Sequence, residues 1–476
     1  MNKKVFSRTV LAASLAAVMA TPAISHAGGM IKVTNGDDSG EGSLRAAIES
    51  GKSKIKIAKS VETINILSTL DYTGEKALTI KGSGQTVSAA GNFTLLAATN
   101  GADLTVSNLN FAGPGGFDVE HRGDIDEKGD PVPAGKGIFV DVRDDQTGTV
   151  KLVLKNVSVS GVANHGIHVS DCSLADDCGG GSGGGGEGSD ASIKVILTGV
   201  EVNDAGNGKF DADGLRVDER GDGSITAYIT ASSFTYVGAD GVELDEGNDG
   251  DVNTHIKFTD FSNNGNYCDP AVIGPFVPVP DEGEFDESDA IPESLIPSPP
   301  YGSADDNCIE REVDTYDSGF VEAFEFGIDL DDGIDIDEAG EGSLNSLMLM
   351  STITGNLDEG VDYDEEDGGD INVKYIGTSA SGNKDDGYKH SEEGEGGVFG
   401  KVTISSAMDN GGKGFVFEEE DEGDLAVRVV ASKTANNDDS DDTGIEAVQE
   451  DEGKGTLKVR NSDIADGIDT DGVDEI

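Results

Sequence analysis

The chain has 476 residues, with 33 Lys and Arg against 93 Asp and Glu, a formal charge of −60 at pH 7, 68 Gly, 5% aromatics and no Trp. So anionic a surface excludes unaided binding to nucleic acid or to an anionic membrane, and without Trp a broad sugar-stacking platform is poorly supplied. High charge can also mark a disordered chain, but here the apolar residues are patterned, and a Gly-rich, turn-rich β fold is expected.

The first 27 residues carry Lys3, Lys4 and Arg8, an apolar stretch from Val10 to Ala20, and then Ser25-His26-Ala27. That order predicts a cleaved secretory leader of the Gram-negative type, cut after Ala27. The apolar run is shorter than a membrane span requires, and no later segment is apolar enough to cross a bilayer. Removing the leader leaves 30 basic residues and a net charge of −63. The mature protein is therefore expected in the periplasm or outside the cell.

Residues 28–135 read as an N-terminal cap and the first coils of a solenoid. Gly42-Ser43-Leu44-Arg45-Ala46-Ala47-Ile48 predicts a short helix with Ser43 as N-cap and Leu44, Ala47 and Ile48 on one face. Such a helix can cover the open edge of a first coil. Short strands are expected at 63–66, 78–80 and 104–106.

Residues 136–476 repeat. A glycine followed by an apolar residue recurs at Gly137, Gly166, Gly214, Gly241, Gly333, Gly360, Gly387, Gly414, Gly444 and Gly467, and four of the intervals are 27 residues. A fixed period of this size is the signature of stacked supersecondary units. After each glycine the residues alternate, as in Asp240-Gly241-Val242-Glu243-Leu244-Asp245-Glu246, which predicts a strand with one face in and one face out. The first inward column reads Leu215, Val242, Ile334, Val361, Tyr388, Phe415, Ile445, and the second Val217, Leu244, Ile336, Tyr363, His390, Phe417, Ala447. His390, between Tyr363 and Phe417, is expected to be a core histidine. A second strand follows a turn, as at 224–229, and a third short segment often ends in Asn, as at Asn356 and Asn383.

Two stretches interrupt this ladder. Residues 172–190 hold a Gly/Ser run, read as a flexible loop. Residues 267–331 hold eight of the twelve prolines and read as an Ω-like excursion closed by Cys268 and Cys308. An exported chain meets an oxidising compartment, so Cys172 with Cys178 and Cys268 with Cys308 are expected to form two loop-stapling disulfides.

The N-terminal Asp38-Ser39-Gly40-Glu41-Gly42-Ser43-Leu44-Arg45-Ala46-Ala47-Ile48 stretch and the rungs that follow resemble the pectin-lyase-like superfamily. That resemblance implies an all-β fold, a right-handed single-stranded parallel β-helix with a short N-terminal cap helix. The superfamily includes pectate and alginate lyases, polygalacturonases, tailspikes and adhesins, so the resemblance implies fold and does not choose an activity.

Stacking turns repeated acids into columns with neighbours about 4.8 Å apart. One column reads Asp218, Asp245, Asp337, Asp364, and the next residue along reads Glu219, Glu246, Glu338, Glu365. Like charges at that spacing repel by roughly 1 kcal/mol per pair in water, which cations between the carboxylates would offset. Hard oxygen ligands at regular spacing suit Ca²⁺, and these eight residues are the expected metal ligands, although no EF-hand or Gly-Gly-x-Gly-x-Asp motif occurs. The outward position two after each glycine varies: His168, Arg216, Glu243, Asp335, Asp362, Lys389, Val416. A lyase would need a base and positive charge there, and Arg216, Arg220 and Lys389 are the candidates, though Arg216 and Lys389 lie several rungs apart. A hydrolase would need an acid pair such as Glu243 with Asp335, a pair that nearly every rung supplies. The expected function is a calcium-stabilised, non-catalytic adhesion or glycan-interaction module that meets an extracellular polysaccharide or cell-surface component. The alternatives are a polysaccharide lyase or glycoside hydrolase, and a ligand-free acidic scaffold.

Overall fold

The computed structural model describes residues 29–117, 134–143, 145–171, 188–273, 283–285, 290–296, 308–316, 318–328, 330–437, 443–450 and 453–476. The leader, Cys172 and Cys178 lie outside these residues, as does most of the 172–190 loop.

The chain winds as a right-handed parallel β-helix with three faces per rung. The anchor face is a 12-stranded sheet running from Leu70–Tyr72 to Ile468–Asp471. Its strands pair in parallel and in the expected register: Leu215 with Val242, Glu243 with Asp335, and Ile334 with Val361. One rung shows the whole path. Val242–Glu246 lies on the anchor face, Val252–Lys257 on the second face and Asp260–Ser262 on the third. A single left-handed residue, Phe258 at φ 54°, turns the second face into the third, and Asn263 at φ 56° turns the third back toward the anchor face. The first corner recurs at Ala231, Met350, Ile404 and Ala431, with φ between 51° and 54°. An L residue there costs about 1 kcal/mol, a strain the surrounding rungs over-determine.

Each anchor glycine sits directly over the next. A Cβ on Gly333 would lie 2.5 Å from the Gly360 carbonyl oxygen, and one on Gly360 2.5 Å from that of Gly387. Backbone approaches backbone here, so only glycine fits, and 27 residues make one lap. Both inward columns are fully buried. The His390 ring stacks on Phe417 with centroids 4.7 Å apart, accepts or donates at 2.7 Å with the Tyr375 hydroxyl, and bonds the Val416 carbonyl at 2.7 Å. Burial lowers its pKa to about 4, so it is a neutral core residue.

The corners are satisfied by side-chain ladders. Nδ2 of Asn264 donates to Oδ1 of Asn356 at 3.1 Å, and the pattern continues through Asn383, Asn410 and Asn437 to Asp466. At the other corner the hydroxyls of Ser351, Ser405, Ser432 and Ser462 accept from backbone N–H groups of the neighbouring rung at 3.1–3.2 Å. Buried turn donors that no strand can pair thus find acceptors.

The helix is Leu44–Glu49, with the Ser43 hydroxyl accepting from the Ala46 N–H and with Leu44, Ala47 and Ile48 buried. In the 267–331 interruption, the described residues form an antiparallel three-stranded sheet of Gly283–Glu284, Glu310–Thr315 and Val321–Gly327. Ile296, Ile309, Val321, Phe324 and Phe326 make a small apolar core there, so the excursion carries its own packing. The Cys268–Cys308 disulfide is formed, and Phe210 packs against its base. Among the described residues no helix is long and apolar enough to cross a membrane.

Candidate functional site

Alternation along each anchor strand separates the two acidic columns. Asp218, Asp245, Asp337 and Asp364 point outward, whereas Glu219, Glu246, Glu338, Glu365, Glu392 and Glu419 turn into the interior corner and are at most 1% exposed. From Glu246 onward each glutamate lies beneath a glycine four residues on. A Cβ on Gly342 would fall 2.0 Å from Glu338 Oε1, and one on Gly396 2.4 Å from Glu392 Oε1. Hence the recurring Glu-x-x-x-Gly spacing. Neither oxygen of Glu338, Glu365 or Glu392 receives a hydrogen bond from a protein N–H. Burial, and then the neighbouring carboxyls, raise Glu365 to about 9 and Glu392 to about 8. Such a row holds protons or cations between its members, because bare carboxylates stacked in a low-dielectric corner are untenable.

The outward carboxylates converge in threes. Asp211, Asp213 and Glu243 bring ligand oxygens within 4.8 Å of one another, as do Glu243, Asp335 and Asp337; Asp332, Glu359 and Asp362; and Asp358, Glu359 and Asp385. Of the eight metal ligands expected from sequence, only Asp337 enters one of these triads. The others are Glu243, Asp335 and Asp362, two after the glycine; Asp213, Asp332 and Glu359, just before it; and Asp211, Asp358 and Asp385 in the turn that precedes. Oδ1 of Asp332 and Oδ1 of Asp362 are buried and accept no hydrogen bond. Asp332 is raised well above the usual carboxylate range by burial and then by the charge of Glu359, and Asp337 is pushed up to about 7 by burial and then by Asp362.

The candidate bases that a lyase would need are paired with acids. Arg216 Nε lies 2.7 Å from Asp218, and its Nη1 reaches Glu243 at 2.5 Å and Asp211 at 3.2 Å. Arg220 is buried against Asp245. Lys389 lies 2.9 Å from Asp362 and 3.7 Å from Glu359. Arg216 and Lys389 stand on rungs separated by Glu243, Asp335 and Asp362 in the pairing order, so they do not share a site.

A second constellation lies on this face just before the acidic rungs, between the strands Ile138–Asp141 and Leu215–Glu219. Lys136 Nζ lies 2.5 Å from His168 Nδ1, and His168 Nε2 lies 2.6 Å from Asp218 Oδ2, all of it buried. The His165 ring sits 4.6 Å from that of His168, and its Nδ1 accepts the Asp213 N–H at 3.0 Å. Burial, then the Lys136 charge, lowers His168 to about 4. Burial opposes ionisation of Asp218, but Arg216 and His168 outweigh it and hold this carboxyl well below the usual range. A neutral His168 thus donates from Nε2 to Asp218 and accepts at Nδ1 from Lys136. Sequence reasoning noted His168 as a variant in its column but passed over Lys136 and His165. Both flank anchor glycines, one residue before Gly137 and Gly166, in the same column as Asp213.

No protein-family model matches the chain, and no curated protein matches its sequence. Among solved structures, it is similar to the enzymatically active domain of tailspike protein 2 of bacteriophage CBA120, at 12% identity and TM-score 0.41, covering 82% of this chain and 45% of that one. It is also similar to the A-module of mannuronan C-5 epimerase AlgE6 from Azotobacter vinelandii, at 10% identity and TM-score 0.38, covering 93% and 97%. A GH136 lacto-N-biosidase from Eubacterium ramulus gives 8% identity and TM-score 0.32, covering 94% and 67%. The chain spans less than half the length of the tailspike domain. Likeness at this level transfers no activity.

Proposed function

We propose that this chain is a secreted, divalent-cation-loaded β-helix whose acidic face holds Ca²⁺ and which acts outside the cytoplasm as a non-catalytic glycan-interaction or adhesion module. The observation that carries the reading is the run of carboxylate triads on the anchor face, with buried oxygens on Asp332 and Asp362 that no protein donor reaches. Carboxylates alone, without His or Cys, favour a hard cation, and flexible groups of six or so oxygens suit Ca²⁺ better than Mg²⁺. The leader sequence and the Cys268–Cys308 disulfide support export. Ion pairing of Arg216 and Lys389 supports a role for these bases in balancing charge. Thermal melts at low ionic strength test it: Ca²⁺ should raise the midpoint over chelator-treated protein by on the order of 10 °C, and Mg²⁺ by less. An unchanged midpoint would remove calcium from the reading.

The Lys136–His168–Asp218 relay favours a second reading, a polysaccharide lyase or hydrolase working beside the first acidic rungs. A glycan panel followed by absorbance of unsaturated products and by reducing ends separates the two. Turnover that His168→Asn abolishes would replace the non-catalytic reading.

A further inference from the structure

In a chain with nearly three acids for every base, bases beside the anchor strands meet acids, as Arg216, Lys389 and Lys413 do. The second face departs from this. Lys374 pairs in register with Lys401, Lys401 with Arg428, and Arg428 with Lys458. Four cations therefore stand one above another on consecutive rungs. Among the described residues none of the four makes an ion pair, and Lys374, Lys401 and Arg428 are exposed. Among the outward strand positions of this face from Thr226 to Arg460 the one acid is Asp370, which opens the Asp370–Ile376 strand four residues before Lys374. Stacked like charges about 4.8 Å apart repel, so the column favours an anion whose charges recur along the axis.

Beside the column lies a shallow groove of about 470 Å³, lined in part by Asn345, Asn372 and Phe399. The asparagines offer hydrogen bonds to hydroxyls and the half-exposed phenyl ring an apolar patch for a sugar face.

We propose that this basic stripe binds a linear anionic polysaccharide running parallel to the helix axis, with its carboxylates against Lys374, Lys401, Arg428 and Lys458. The inference rests on the glycan part of the proposed function and does not need calcium. A nucleic acid is disfavoured as occupant because its dense charge would be repelled by the acidic faces on either side, whereas a polyuronate carries fewer charges per length.

Affinity electrophoresis or calorimetry of the mature protein with polygalacturonate, in EDTA at low salt, tests it. Binding is expected, weakening with added salt. The triple variant Lys374→Ser/Lys401→Ser/Arg428→Ser should lose at least about tenfold in affinity, and the charge-keeping Lys374→Arg/Lys401→Arg/Arg428→Lys should retain it. Neutral dextran should not bind. The inference is overturned if polygalacturonate binds only with Ca²⁺, if both variants bind alike, or if single-stranded DNA binds as tightly as the uronate. Calcium-dependent binding alone would leave the acidic-face reading standing. Binding in EDTA with no calcium effect on the melting midpoint would do the reverse.

Discussion

The anchor face and the second face are built from the same rungs, yet they solve opposite electrostatic problems. On the anchor face acids crowd until Arg216 serves Asp218, Glu243 and Asp211 together. On the second face Lys374, Lys401 and Arg428 stand in line and, among the described residues, make no ion pair. Net charge therefore says little about any one surface of a solenoid. In-register stacking concentrates whatever a column holds, so a fold with charge −60 can still present a cationic stripe. On the proposed reading each face takes a partner of the opposite sign, a cation on one side and a polyanion on the other.

Three substitutions sharpen that contrast. The largest effect is expected for Arg216→Met, which leaves Asp218 and Glu243 buried without their counter-charge. About 3–5 kcal/mol of stability should be lost in EDTA, read as a lower denaturant midpoint, with partial recovery when Ca²⁺ is added. Full stability in EDTA would show that the carboxylates are already neutral. Asp335→Asn should change sign with conditions. It removes a like charge from the Glu243–Asp335–Asp337 triad, so it should stabilise by about 1 kcal/mol in EDTA and destabilise relative to wild type in Ca²⁺. The same sign in both conditions would argue that no cation sits in that triad. The smallest effect belongs to the second face, where Lys374→Ser should shift stability by less than about 0.5 kcal/mol with or without Ca²⁺. A larger shift would mean that the stripe is part of the fold's own electrostatic balance and is not reserved for a ligand.

Much of this was legible before any coordinates. Gly214 to Gly241 and Gly333 to Gly360 have the period of one lap, and the structure stacks them because backbone meets backbone there. Leu215, Val242, Ile334 and Val361 lie inside as alternation requires. Alternation also implied that Asp337 and Glu338 face opposite ways, but treating them as one acidic pair obscured it. The basic column was available too, at intervals of 27, 27 and 30 from Lys374 to Lys458. It is less visible than the glycine strand because no invariant residue marks the second strand's start.

By itself the sequence determined the period, the inside and outside of each strand, the cap helix at Ser43 and the stacking of His390 between aromatic rings. These follow from local alternation and from a constant lap length, which convert sequence spacing directly into spatial adjacency. Only the tertiary structure decided which carboxylates converge, because Asp332, Glu359 and Asp362 come from different columns and meet through side-chain reach. It alone joined Lys136 to His168 and Asp218, since the distance across a lap depends on loops of unequal length. Where adjacency is set by a fixed period, sequence suffices; where it is set by rotamers and loop lengths, the folded chain must supply it.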